Sequence, residues 1–532
     1  MSLPDEKESQ INRPKELVWG ELLRRNAAKW PNKVAVTYLD QKWTYRELNS
    51  RANRLANALA KQGLKKGDKV SIFLYNSIEF AEIIFGIFKA GGVIVPINYR
   101  LVASDIEYLA NHNEVSFFFV GTPLLDRLEG VNFEKMRQVI VVGEKAQKGM
   151  IALEELMVSS PSDDEPTVDV WEGDTCFLIT TGGTTGKPKA AIHNHRSICG
   201  IYHQQVPYYH DHSIGDRGMV CLPMYSAGGM GYDFGSTLLR GGTLYIIPFN
   251  PFDPVLALET IDKEKINHTT MAPSMLRAIL ALPEEVRSKY DVSSLKSLAV
   301  VGAPTDSKTR EDAVRHFGEV IFVDYSASEL GLVSTLRPEE MLKYPTSSGR
   351  VVSPQEVRII DNDGNELPRG EVGEIAVSSE LIFQGYYNDP EITAQTFHGR
   401  FAGIGDVGYM DDDGYIYVVD RKKDMIISGG SNIYPAEIEG KILNHPKIAE
   451  VAVIGVPDEK WGEAVLALVK LKPEMAATPE EIITWCRGKM AGYIIPKKVE
   501  FVTDFPMTAA GKIQKNVLRE RYWQGYDQKI RG

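Results

Sequence analysis

From Lys42 onward the sequence alternates segments of helical and strand periodicity, and no other feature restricts the fold as much. Thr44 and Glu47 form a capping box, and Leu48, Ala52, Leu55, Ala56 and Leu59 make one apolar stripe that stops at Gly63. That pattern predicts an amphipathic helix lying on a core. Strand character at 69–74, helical spacing at 81–88, a short apolar run at 93–96, helical spacing after Ser104 and strand character at 115–120 follow. The same texture continues across 169–325, with apolar runs at 175–180, 243–248, 298–301 and 320–323. Such repetition implies layered α/β architecture.

After about Ser348 the texture changes. Asp363-Gly364 and Asp413-Gly414 are turn signals among the strand-like segments 356–360, 374–377 and 415–419, which predicts a β-rich subdomain. The charged run Asp420-Arg421-Lys422-Lys423-Asp424 follows. Beyond it, strand-like 451–455 and 464–471 accompany a helix capped at Thr478-Pro479-Glu480-Glu481. A boundary near Lys423 divides the chain into 1–423 and 424–532.

With 532 residues, 43% of them hydrophobic and 25% charged, the chain has the balance of an ordinary globular protein rather than a disordered, fibrous or membrane one. Its net charge of −11 offers no overall attraction for nucleic acid, so a polyanionic ligand needs a local site. The four cysteines, Cys176, Cys199, Cys221 and Cys486, have neither C-x-x-C nor zinc-ligand spacing and read as free thiols of a reducing compartment. The charged N-terminus has no apolar leader, and the most apolar stretch, near 78–97, is interrupted by acids, a Lys and a Gly pair. A cytoplasmic protein without a transmembrane segment is expected.

The densest chemical cluster is Thr180-Thr181-Gly182-Gly183-Thr184-Thr185-Gly186-Lys187-Pro188-Lys189. Its glycines permit close backbone approach, and its hydroxyls and ammoniums supply donors, a composition suited to an oligophosphate or, equally on composition alone, to a soluble hairpin turn. It is not a Walker A loop, because Thr181 stands where the first Gly belongs, Pro188 follows the Lys, and 190–193 reads as a strand. Gly403-Ile404-Gly405-Asp406-Val407-Gly408 spells G-x-G-x-x-G, but a strand rather than a helix follows, which argues against a nicotinamide-binding turn. His193-Asn194-His195 and His210-Asp211-His212 lack an accompanying metal-ligand set.

The ten-residue loop resembles the signature loop of the ANL superfamily of adenylate-forming enzymes, which includes acyl-CoA synthetases, peptide-synthetase adenylation domains and beetle luciferases. Further matches come in the family's order: Leu222-Pro223-Met224-Tyr225, Val301-Gly302-Ala303-Pro304, Asp324-Tyr325-Ser326-Ala327-Ser328-Glu329, Gly405-Asp406-Val407-Gly408-Tyr409, Asp420-Arg421-Lys422-Lys423-Asp424, Ser428-Gly429-Gly430 and Gly511-Lys512-Ile513-Gln514. The resemblance covers nearly the whole chain and implies a large N-terminal domain of layered α/β subdomains plus a β-rich subdomain, followed by a small mobile α+β C-terminal domain.

Tyr325 offers a π face for adenine, Ser328 a hydroxyl for phosphate, and Glu329 a hard oxygen ligand for Mg²⁺. Asp406 and Arg421 have the charges for a ribose diol. The resemblance implies that Thr181, Gly182, Gly183, Thr184, Thr185, Gly186, Lys189, Gly302, Ala303, Pro304, Asp324 and Ser326 complete an ATP and AMP site. It implies further that Lys512 bridges carboxylate and α-phosphate, that Lys423 is the hinge, and that Gly429 and Gly430 line the coenzyme A channel. Tyr225, Ser226, Gly229, Ser326 and Ala327 fall at acyl-pocket positions.

The chain departs from the family pattern at Gly182, usually Ser, at Ala190, usually Gly, and at Ile404, usually Thr. Ser226 stands where His is common and Ser326 where Gly is usual, so the extra side chain at 326 predicts a shortened or narrowed cavity. The implied activity is ATP-dependent acyl-CoA synthesis through an acyl-adenylate, on a short, medium, cyclic or aromatic acid, with ATP, Mg²⁺ and coenzyme A. A homo-oligomer is compatible with it. Transfer to a carrier-protein phosphopantetheine, luciferase-type oxygenation and a non-catalytic acyl-nucleotide binder are the alternatives. Glu329, Asp406, Arg421 and Lys512 argue against the last.

Overall fold

The computed structural model describes residues 15–143, 146–160, 162–181, 188–205, 215–249, 251–429, 431–507 and 513–524. The capping box forms as expected: the Thr44 hydroxyl accepts the Glu47 N–H at 3.2 Å, and the Glu47 carboxylate accepts the Thr44 N–H at 2.7 Å. The helix they start, Tyr45–Lys61, buries Leu48, Ala52, Leu55, Ala56 and Leu59 completely.

Two large sheets lie side by side. The seven-stranded sheet runs Ile151–Ala152, Gln138–Val142, Val115–Gly121, Lys69–Phe73, Val93–Pro96, Thr175–Thr181 and Lys189–Asn194, parallel until its last, antiparallel pair. In the nine-stranded sheet, Val34–Tyr38, Thr243–Ile246, Arg217–Val220, His268–Met271, Ser297–Val300 and Ile321–Ala327 are parallel, with antiparallel strands at both ends. Parallel pairs need crossover helices, so both faces of these sheets are covered and their central strands are buried.

Between the sheets Trp19, fully buried, contacts Phe88 and Tyr202, each at 5.4 Å between ring centroids, and Phe234 at 6.1 Å. Asn76 fastens the two sheets where their strands end: its amide donates to the Leu222 carbonyl at 3.0 Å and its carbonyl accepts the Met224 N–H at 2.8 Å.

A third, five-stranded sheet holds Glu356–Ile360, Gly373–Ser378, Phe397–His398, Phe401–Met410 and Ile416–Arg421. Asp413-Gly414 turns the hairpin between the last two strands, as expected. Asp363-Gly364 instead closes a small bridge between Ile360 and Glu366, and a loop then leads to the next strand. The sequence G-x-G-x-x-G lies inside the strand Phe401–Met410, which removes any nucleotide-binding turn there. The strand expected at 320–323 extends to Ile321–Ala327, because Tyr325, Ser326 and Ala327 pair antiparallel with Gly331–Leu336. Beyond Lys423 a fourth sheet carries Ile426–Ser428, Ser431–Ile433, Ile448–Asp458, Gly462–Leu471 and Lys498–Phe501 around a separate apolar core. No helix among the described residues is long and apolar enough to cross a membrane.

His195 begins the helix His195–Gln205 and is a core residue, 1% exposed, with its ring edge-on to Phe88 at 5.0 Å. Burial first, and the Lys66 charge second, lower its pKa from 6.5 to about 3. The folded chain therefore refuses a proton that the unfolded chain accepts, and stability present above pH 6.5 is lost as the pH falls toward about 3. The stability of wild type toward urea should fall with acid in that window, and His195→Gln should flatten the slope by about 1.4 kcal/mol per pH unit. An unchanged slope in that variant would exclude a neutral buried imidazole.

Candidate active site

The strand Lys189–Asn194 is hydrogen-bonded on both edges. One edge pairs with Thr175–Thr181, ending at Thr181 opposite Lys189. Gly182, Gly183, Thr184, Thr185, Gly186 and Lys187, which join them, lie outside the described residues. The other edge takes the segment 384–387: Ile192 N–H donates to the Gly385 carbonyl, Gln384 N–H to that of Ile192 and Tyr387 N–H to that of Ala190, each at 2.9 Å. Ala190 is fully buried in this strand.

That second pairing carries Tyr386 to Glu329. The phenol donates to Glu329 Oε1 at 3.1 Å, and the Phe383 N–H donates to the Glu329 backbone carbonyl at 2.7 Å. Glu329 is 8% exposed and sits in the tight turn closed by Leu330 N–H on the Ala327 carbonyl at 3.2 Å. Its second carboxylate oxygen takes no hydrogen bond among the described residues. No group of three side chains there could hold a metal by itself. One hard carboxylate oxygen of this kind fits Mg²⁺, which commonly takes one or two carboxylates and completes its shell with phosphate and water. Lys189 Nζ lies 5.0 Å from the centre of the Tyr386 ring; burial lowers its pKa, opposed by the charges of Glu329 and Asp389.

His193 is wholly buried, and its Nε2 lies 2.7 Å from the Ser328 backbone carbonyl. Burial lowers its pKa to about 4, opposed by that hydrogen bond. The His193-Asn194-His195 triplet thus splits between a turn contact and a core position, while His210-Asp211-His212 lies outside the described residues.

Asp406, 4% exposed, collects residues from two sheets. Its Oδ2 accepts the Tyr325 hydroxyl at 2.8 Å, and Arg421 Nε pairs with Oδ1 at 2.5 Å across the register of the two antiparallel strands. A carboxylate has about four acceptor positions, so two remain, the number that a ribose diol requires. Burial, then the adjacent Asp406 charge, holds the Tyr325 phenol far above its ordinary pKa, so it stays a donor. Arg421 also reaches the Ile404 carbonyl at 3.4 Å, a backbone contact that any residue at 404 supplies. Glu374 supports the same strand, accepting the Gly405 N–H at 2.9 Å and pairing with Lys422 at 3.1 Å.

Gly302, Ala303 and Pro304 form an exposed loop just past the strand Ser297–Val300. The left-handed φ of +93° at Gly302 favours glycine. The Tyr232 phenol sits beside Asp324 and Ser326, and burial first and the Asp324 charge second hold its pKa high. Tyr225 packs edge-on against Tyr99 at 5.1 Å between centroids, and neither hydroxyl has a partner among the described residues. Ser226 hydrogen-bonds locally, donating to the Pro223 carbonyl at 2.8 Å and accepting the Gly229 N–H at 3.0 Å. A Cβ on Gly229 would stand 2.1 Å from that carbonyl, so the helix Gly229–Gly235 packs there through a bare backbone. Ser328 and Ala327 flank Glu329, both partly exposed.

Arg519 of the helix Lys515–Trp523 donates to the Lys423 carbonyl at 3.1 Å, to the Asp424 carbonyl at 3.2 Å and to its carboxylate at 2.8 Å. Asp420 accepts the Ala436 N–H at 2.8 Å at the start of the helix Pro435–Leu443. Gly429 N–H donates to the Trp461 carbonyl at 2.8 Å. Gly430 and Lys512 lie outside the described residues. Of the site residues expected from the sequence, Tyr325, Asp406 and Arg421 meet one another and Glu329 lies with Tyr386 and Lys189, whereas Lys423 and Gly429 lie where the chain passes to the small domain. Sequence reasoning missed Tyr386, Glu374, Asn76 and the contact of His193, whose only local signal is a polar residue inside an apolar strand or at its end.

A family model for AMP-binding enzymes matches residues 23–387, and one for the AMP-binding enzyme C-terminal domain matches 437–512. A long-chain-fatty-acid–CoA ligase of Mycobacterium tuberculosis is 33% identical over 94% of this chain and 98% of its own. A feruloyl-CoA synthase of an Amycolatopsis species is 33% identical over the same shares. The crystal structure of the anthranilate CoA ligase AuaEII with anthranoyl-AMP superposes with a TM-score of 0.89 at 28% identity, over 96% of this chain and 98% of that one.

Asp406→Asn removes the charge that orients Arg421 and should weaken adenine-nucleotide binding about tenfold or more in calorimetry. Tyr325→Phe, which deletes one neutral donor, should cost less. An unaltered dissociation constant in Asp406→Asn would exclude the carboxylate from the ribose site.

Proposed function

The chain belongs to the AMP-binding enzyme family and is an AMP-forming acid–thiol ligase, and from that premise we propose its substrate class and the division of labour among its residues. ATP, a carboxylic acid and coenzyme A are the substrates of this class of reaction. The acid is short, medium, cyclic or aromatic, and the supporting observation is Ser326 beside the Tyr232 phenol, where a side chain occupies space that the usual glycine leaves open.

A carboxylate cannot transfer its acyl group directly, because oxide would have to leave. In the first half-reaction a carboxylate oxygen attacks the α-phosphorus, the acyl–phosphate anhydride forms, the α–β anhydride breaks, and pyrophosphate departs. Asp406 and Arg421 orient the ribose, with Tyr325 holding Asp406 in place. Lys189 and the hydroxyls and backbone of 181–186 meet the phosphates, and Gly302, Ala303, Pro304 and Asp324 border the base. Lys512 neutralises the charge gathered as carboxylate and α-phosphate approach. When bound at Glu329, Mg²⁺ would neutralise phosphate charge.

In the second half-reaction the coenzyme A thiolate attacks the acyl carbon and AMP leaves. Both Lys512 and the Gly429-Gly430 loop follow Lys423, so a turn about that residue exchanges one for the other. The division at 423 and 424 supports this reading through Asp420, whose contact with Ala436 such a turn must break. Four buried free thiols suit a cytoplasmic setting.

A panel of carboxylic acids assayed for coenzyme A-dependent AMP release tests the reading directly. Lys512→Ala should abolish acid-dependent exchange between pyrophosphate and ATP yet still convert supplied acyl-adenylate to thioester; equal loss of both half-reactions would refute the lysine's role. Ser326→Gly should move the acid preference toward longer chains, and an unaltered chain-length profile would remove Ser326 from the pocket wall.

A further inference from the structure

His193 lies on the outgoing strand of the phosphate-loop hairpin, opposite Phe177, with its ring fully buried. Its Nε2 stands 2.7 Å from the carbonyl of Ser328, the residue before Glu329. A backbone carbonyl only accepts, so Nε2 must carry the proton. On the other side of the ring Nδ1 lies 3.4 Å from Ser197 Oγ, whose single proton is directed to the Asn194 carbonyl at 3.0 Å.

We propose that His193 is a positioning residue for adenylation, acting as an Nε2–H donor that fixes the Ser328-Glu329 turn against the hairpin of the phosphate loop. The turn is held at three points. Phe383 N–H binds the Glu329 carbonyl, Tyr386 binds its carboxylate, and His193 binds the Ser328 carbonyl. The first two come from the chain around 383–387, which pairs with the strand Lys189–Asn194, and the third comes from that strand itself. Phosphate loop and acidic turn therefore share one backbone reference, and the imidazole is the direct link between them. Such supporting hydrogen bonds typically alter affinity or activity about ten- to a hundredfold when removed, although they touch no substrate.

The inference rests on the adenylating reading above, and the two can be separated. Acid-dependent exchange between pyrophosphate and ATP in the wild-type chain tests the reading itself, and its absence would overturn both. With exchange established, His193→Leu should slow it about tenfold or more. The same variant should form thioester from supplied acyl-adenylate within about threefold of wild type. His193→Gln, whose amide N–H extends to the same carbonyl, should recover most of the exchange. Normal exchange in the Leu variant, or equal loss in both half-reactions, would overturn the positioning role.

A spectroscopic measurement decides the matter even if the Leu variant does not fold. In the full chain labelled with ¹⁵N-histidine, the signal that disappears in His193→Gln should be that of the Nε2-protonated tautomer. An Nδ1-protonated ring at that position would refute the proposal.

Discussion

The doubly paired strand Lys189–Asn194 is the constraint on which the site depends. An edge strand would have left one row of backbone groups free, but here the segment 384–387 occupies that row. The pairing sets the phosphate-loop hairpin, Tyr386 and, through Tyr386, Glu329 in one frame. Because backbone hydrogen bonds fix register, a slip of one residue would turn every side chain on the strand to the opposite face. His193 would then lose Ser328.

A second constraint joins the remaining sheets. Tyr325 belongs to the nine-stranded sheet, Asp406 and Arg421 to the β-rich one, and the buried carboxylate between them satisfies both donors. A buried carboxylate with charged and neutral donors is favourable only when its geometry is complete, so this group specifies how two subdomains meet. Asn76 does the same for the two large sheets with a single amide. At both junctions, therefore, structural cohesion comes from buried polar side chains. The small domain is attached differently: its Arg519 binds the segment Lys423-Asp424, while Asp420 reaches to Ala436.

Much of this was legible in the residues. The helix from Thr44, the strand periodicities and the Asp413-Gly414 hairpin are local, set by caps, alternation and turn chemistry. Asp406, Arg421 and Glu329 were recognisable through their places in the family's ordered motifs, since each taken alone reads as an ordinary charge. Tyr325 was read for its ring alone, and the structure adds its hydroxyl. Ser226 and Gly229 were read as pocket residues, and the structure gives both a packing reason at Pro223. His193 went unassigned because an imidazole on an apolar strand carries no local mark of its partner.

By itself the sequence determined the alternation of elements, the turn chemistry and the inventory of donors, acceptors and charges, since propensity and periodicity act over a few residues. Only the tertiary structure decided that Val34–Tyr38 lies between its neighbour Gln41–Thr44 and the distant strand Thr243–Ile246, that 384–387 completes the strand Lys189–Asn194, and that Ser328 meets His193. The physical reason is common to all three: a strand edge or a buried polar atom needs a hydrogen-bond partner, but which partner it finds is set by how distant apolar faces pack.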